Sequence, residues 1–127
     1  MTIKMYQVFK VLDIYKRVKE LTVPAKVAYK FNKLCIGLNN DANFYQGEVD
    51  KLIQQYADRE EDGSVKKSED GGVKIQADKV ETVQKEINNL WDLEVDAPDV
   101  QFTIEELDDL KLSIEDFNAM LPFIKED

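Results

Sequence analysis

The chain has 127 residues, no histidine, a single cysteine and a formal net charge of −9, with 43% hydrophobic and 34% charged residues. That length suits one domain, 1–127, and makes a second independent core unexpected, while the composition is that of a folded rather than a disordered chain. With no histidine and only Cys35, the chain holds no Ser-His-Asp or Cys-His arrangement, no Cys/His zinc site and no internal disulfide.

The first segment, MYQVFKVLDIYKRVKEL, carries Val8, Val11, Leu12, Tyr15 and Val18 at three- and four-residue spacings, which predicts an amphipathic helix. MTIKM before it alternates and reads as a short strand. Thr22 and Pro24 mark the next helix start, since threonine caps free amides and proline is tolerated in a first turn.

From Val27 through Phe31, Leu34, Leu38, Ala42, Tyr45, Val49, Leu52 and Tyr56, apolar residues recur every three or four positions. The pattern predicts one helix over about 24–58, weakened at Gly37 and Gly47 and open to a kink in GLNNDAN. A second stripe, Val80, Val83, Ile87, Leu90 and Trp91, predicts a helix over 78–94, and Asp78 with Glu81 has the spacing of a capping box. Between them, DGSVKKSEDGGVKIQ holds two short alternating pieces around EDGG, a hairpin-turn composition.

The expected fold class is therefore mainly α: a long helical hairpin over about 24–94 with a β-hairpin insert at its tip, about 63–76, and an N-terminal amphipathic helix. A C-terminal capping segment over about 98–124 adds two short helices. These start alike, at Thr103 with Glu106 and at Ser113 with Asp116, each flanked by a staple pair, Phe102 with Leu107 and Leu112 with Phe117. DVQFT is alternating enough to pair with MTIKM, so a strand pairing of 2–5 with 99–103 is a further expectation.

Charge is unevenly placed. Residues 1–40 carry eight Lys/Arg against Asp13 and Glu20, whereas residues 80–127 carry three against fourteen acids. The basic stretch Lys10, Lys16, Arg17, Lys19, Lys26, Lys30 and Lys33 is interleaved with aromatics, but most of those fall on the core stripe, and the acidic remainder would repel a nucleic-acid backbone. Direct nucleic-acid binding is not expected; pairing with the acidic C-terminal part is. That part, Glu105, Glu106, Asp108, Asp109, Glu115 and Asp116, is a candidate partner-binding face and, as an alternative, a mimic of the phosphate track of DNA. Trp91 is a candidate anchor on the same reasoning about large aromatics, although core packing is the blander use. Cys35 sits beside the core stripe and reads as an inert thiol.

One stretch has the outline of a metal loop. DREEDGSVKKSE places Asp58, Glu60, Asp62 and Glu69 at positions 1, 3, 5 and 12 of an EF-hand pattern, with Gly63 at position 6. Lys66 at position 9, Lys67 beside it and Asp70-Gly71-Gly72 in place of the exiting helix all weigh against calcium, and an acidic turn is expected instead. No cofactor is implied.

Taken in order, MTIKMYQVFKVL, LTVPAKVAYKFNKL, DKLIQQYADREEDGSV, GGVKI, VQKEINNLWDLEVD and FTIEELDDLKLSIEDFNAMLPFI resemble a family of small uncharacterised proteins encoded by phages and prophages of Gram-positive bacteria. The resemblance runs over nearly the whole chain, and its most specific parts are PAKVAYKFNKL and LKLSIEDFNAMLPFI. It implies a phage-borne cytoplasmic protein, mostly helical with a small hairpin, and supplies no catalytic residues. The functional expectation is a non-enzymatic protein-binding module that acts on a host or defence protein or on phage machinery. The alternative is a structural or assembly protein that forms a homodimer or larger oligomer through the long helix. No apolar run reaches the roughly 20 residues a membrane span needs, and Lys4 and Gln7 interrupt the N-terminus where a signal peptide would be apolar, so a cytoplasmic location is expected.

Overall fold

The computed structural model describes residues 1–125. In chain order it has β1 (Thr2–Lys4), α1 (Met5–Val18), α2 (Ala25–Tyr56), α3 (Val80–Trp91), β2 (Glu94–Asp96), α4 (Ile104–Asp108) and α5 (Ile114–Met120), with 3-10 turns at Ala77–Lys79 and Leu121–Phe123. It is mainly helical, as the periodicity predicts.

The first helix grows directly out of the strand. The Lys4 amide donates to Gln7 Oε1 at 2.7 Å, a reach-back that satisfies one amide at the start of α1. Met5, Val8, Val11, Ile14 and Val18 then form a buried stripe, while Leu12 and Tyr15, assigned to that stripe by spacing, stand half-buried at its edge.

The second helix is continuous for 32 residues, about 48 Å at ~1.5 Å per residue. Its two halves have different surroundings. Val27, Phe31, Leu34, Leu38 and Ala42 are buried in the main core against α1 and the C-terminal segment. Beyond Ala42, Tyr45 still meets Phe9 of α1, and Val49, Leu52, Ile53 and Tyr56, on the half of the helix that α3 packs against, are only half-buried. The outer half of α2 and α3 thus make an arm, and a two-helix arm covers each apolar stripe from one side only.

At the tip of the arm lies more than one hairpin. Antiparallel bridges join Ala57 to Ile75, Arg59 to Val65 and Lys67 to Val73. The backbone bonds close a ring: Asp58 donates to the Lys74 carbonyl at 2.8 Å, Lys74 to that of Lys66 at 2.9 Å, and Lys66 to that of Asp58 at 2.8 Å. Three short arms therefore satisfy one another, with turns at Gly63 and Gly71, whose φ values of 90° and 88° suit glycine. The expected 63–76 hairpin is the second half of this motif. Asp78 and Glu81 do not form the expected capping box: a 3-10 turn over Ala77–Lys79 leads into α3, and Lys79 stands at its N-cap without a side-chain bond.

The strand pairing differs from the expected 2–5 with 99–103. β1 runs antiparallel to β2 with Thr2 opposite Asp96, Ile3 opposite Val95 and Lys4 opposite Glu94. The reason is proximity: α3 returns the chain to the start of α1, where the Met5 amide donates to the Leu93 carbonyl at 2.8 Å, so the first extended residues after α3 take the partner. Phe102 pairs instead in parallel with Ile124, its amide donating to Phe123 at 2.6 Å and its carbonyl accepting from Lys125 at 2.7 Å. This places Phe102 in the core, 4.7 Å from the Phe31 ring centre.

Candidate functional site

The two C-terminal helices are positioned by their first turns. Thr103 Oγ1 accepts from the Glu106 amide at 3.2 Å and the Thr103 amide donates to Glu106 Oε1 at 2.8 Å, a reciprocal capping box. Ser113 Oγ accepts from the Asp116 amide at 3.0 Å. Both capping patterns were legible in the sequence.

The same acids then reach across to the basic half of the chain. Lys30 Nζ lies 2.6 Å from Glu106 Oε1, Arg17 Nη1 2.7 Å from Asp116 Oδ2, and Lys10 Nζ 3.9 Å from Glu115 Oε1. The Glu106 side chain is only 13% exposed, and its Oε2 is buried without a hydrogen-bond partner among the described residues. Burial alone would raise the Glu106 carboxyl, but the Lys30 bond, the Thr103 amide and the Lys30 charge outweigh it and hold it below the ordinary value. The Arg17 hydrogen bond lowers Asp116 in the same way and raises Arg17. The expected acidic face is therefore divided: Glu106 and Asp116 turn inward as clamps, and Glu105, Asp108 and Asp109 remain exposed with Glu115 at the edge.

Asp58, Glu60, Asp62 and Glu69 belong to the tip. Asp58 lies 3.8 Å from Lys66 Nζ, and Asp62 Oδ1 accepts from the Ser64 hydroxyl at 2.6 Å and the Ser64 amide at 2.9 Å. These bonds, the hydroxyl's foremost, hold the Asp62 carboxyl below its usual range. In the second turn Asp70 accepts from Ser68 Oγ and from the Gly72 amide, with the same lowering. Among the described residues no three His, Cys, Asp or Glu side chains converge as a metal site would require. Asp62 and Asp70 shape turns, and the spacing that resembles a calcium loop comes from a repeat that spacing against that template hid: Arg59–Lys66, REEDGSVK, and Lys67–Lys74, KSEDGGVK.

Trp91 sits at the root of the arm in a cluster of rings. Its centre is 5.3 Å from Phe9, 5.2 Å from Tyr45 and 6.4 Å from Tyr6, and it is 38% exposed. Tyr6 continues from this cluster into a groove of about 340 Å³ between α1 and α5, walled by Gln7, Lys10, Glu115 and Asn118. Ile114 stands on the rim of the groove, 83% exposed. It is the first residue of α5 after the N-cap Ser113, and sequence reasoning passed over it because it belongs to neither apolar stripe.

The Cys35 thiol is buried, and burial pushes its pKa up to about 12, which suppresses the thiolate. No helix among the described residues is long and apolar enough to cross a membrane. Comparison with protein families, curated proteins and solved structures gives no match to the chain.

Proposed function

We propose that the protein is a non-enzymatic protein-binding module that docks through the face running from Trp91 across Tyr6 to Ile114. The observation that carries this reading is Ile114: a large aliphatic side chain 83% exposed at the rim of a groove whose wall connects, ring to ring, with a half-exposed tryptophan. Aromatic anchors beside a groove with a charged rim are what protein interfaces use. Lys10 and Glu115 supply both signs of charge on that rim and so favour a defined orientation of the partner.

The resemblance to small phage-encoded proteins extends this reading to an accessory role, inhibiting or redirecting a host or defence protein, or acting on phage machinery. The test uses the immobilised full chain beside Ile114→Glu. A protein retained by the parent chain and lost by the variant, at unchanged melting temperature, supports the face; equal retention by both overturns it.

A second reading, assembly of like chains through the arm, is favoured by the half-buried Val49, Leu52, Ile53 and Tyr56 on α2 and Ile87 on α3. A species larger than the single chain in solution would support it. Nucleic-acid mimicry draws less support, because Glu106, Glu115 and Asp116 already face intramolecular cations.

A further inference from the structure

The sheet of β1 and β2 has two outer edges, and they differ. The register that sets Ile3 opposite Val95 continues to Met1 with Ala97 and Met5 with Leu93, where the Ala97 amide donates to the Met1 carbonyl at 2.9 Å and the Met5 amide to the Leu93 carbonyl at 2.8 Å. Those pairs turn their backbone groups toward each other, so the alternate residues Thr2, Lys4, Glu94 and Asp96 turn theirs outward. On the β1 side the Lys4 amide is taken by Gln7 Oε1 at 2.7 Å. On the β2 side the amides of Glu94 and Asp96 donate no hydrogen bond among the described residues, and their carbonyls accept none. Both residues are exposed. The open edge is that of β2.

Charge selects what can pair there. Buried Ile3 and half-buried Val95 point into the core, which leaves Thr2, Lys4, Glu94 and Asp96 on the solvent face of the sheet. Lys4 Nζ lies 3.8 Å from Glu94 Oε1 and 3.6 Å from Asp92 Oδ1, one cation shared by two acids. Asp96 has the uncharged Thr2 opposite, and neither it nor Asp41 of α2 makes an ion pair among the described residues. Burial, and then the charge of Asp96, raise the Asp41 carboxyl. Two like charges are thus held near each other beside free backbone groups. A second copy of β2 would make this worse, because antiparallel pairing about Val95 sets Glu94 opposite Asp96. The phosphates of a nucleic acid are repelled for the same reason.

We propose that the free edge of β2 binds an extended segment of a partner polypeptide that carries lysine or arginine at positions i and i+2. Laid antiparallel, these two residues exchange backbone hydrogen bonds with Glu94 and Asp96 and stand directly opposite them, about 5.5 Å apart at Cα. The positions that fix the register therefore also bring the cations to the two carboxylates. The residue between them lies beside half-buried Val95 and is aliphatic. This inference does not depend on the Ile114 face.

The test titrates the isotope-labelled full chain at low ionic strength with the acetylated, amidated peptide Thr-Lys-Val-Lys-Thr, read by amide chemical shifts. Shifts are expected at Glu94, Val95 and Asp96. The double variant Glu94→Gln/Asp96→Asn should weaken binding about tenfold, as the loss of two exposed ion pairs implies. A peptide methylated at both lysine amides keeps its charge but cannot donate to the Glu94 and Asp96 carbonyls, and it should bind the parent chain about tenfold more weakly. Ile114→Glu should bind the unmethylated peptide as the parent does, so this reading and that of the Ile114 face fail separately. The inference is overturned if the shifts fall elsewhere, if the double variant binds as the parent does, if methylation changes nothing, or if a peptide with Glu in place of Lys shifts the same residues.

Discussion

Gly37 and Gly47 both weaken the sequence pattern of α2, yet they have different reasons to be there. A Cβ added at Gly37 would meet Pro98 Cγ at 2.7 Å and Cβ at 3.2 Å, whereas one added at Gly47 would meet nothing within 4 Å. Gly37 therefore lets the segment after β2 lie flat on the helix, a close approach that sequence spacing does not display. Gly47→Ala should stabilise by about 0.5–1 kcal/mol through helix propensity. Gly37→Ala gains the same propensity but must displace a proline ring, and should destabilise by about 1–3 kcal/mol. Urea unfolding of the pair checks this; two stabilising substitutions would contradict the Pro98 contact. Cys35 makes a second prediction at this scale. With its thiol buried and its pKa pushed up to about 12, it should react with a thiol reagent many-fold faster in denaturant than in the folded chain. Equal rates in both would contradict its burial.

At the level of elements, legibility followed the range of the interaction. Helix existence, the continuity of α2 and the two C-terminal starts at Thr103 and Ser113 were legible because periodicity and capping are local. The partner of β1 was not, because it depends on where α3 delivers the chain, and Glu94–Asp96 is too short to announce itself. The pairing of the basic stretch with the acidic C-terminal part was legible in the division of charge, but which carboxyls turn inward was not, since that needs the position of Lys30 and Arg17 on other helices. Those clamps bear on acid stability. Both carboxyls sit below their ordinary values when folded, so the stability they bring is fully present above the unfolded carboxylate range and is lost as pH falls through their folded values. Glu106→Gln should cost about 1–3 kcal/mol at neutral pH, as expected for a hydrogen bond to a charged group. It should also flatten the acid limb of the stability profile. Identical pH profiles for parent and variant would contradict the clamp.

Over the whole molecule, the division of charge acts as a fastening between the ends of the chain: Lys4, Lys10, Arg17 and Lys30 from the first third meet Asp92 or Glu94, Glu115, Asp116 and Glu106 from the last. Of the cations in the first third, Lys19, Lys26 and Lys33 make no ion pair among the described residues. Composition showed the imbalance, but only the packing decides which charges are consumed. We propose that α3 and the closed tip cover the arm well enough for the chain to remain single, which leaves it free to bind a different protein. Light scattering over a concentration series tests this most directly. A constant mass of 14.7 kDa is the predicted result, and a mass that climbs with concentration toward twice that value would contradict it and assign the arm to a second copy of the chain.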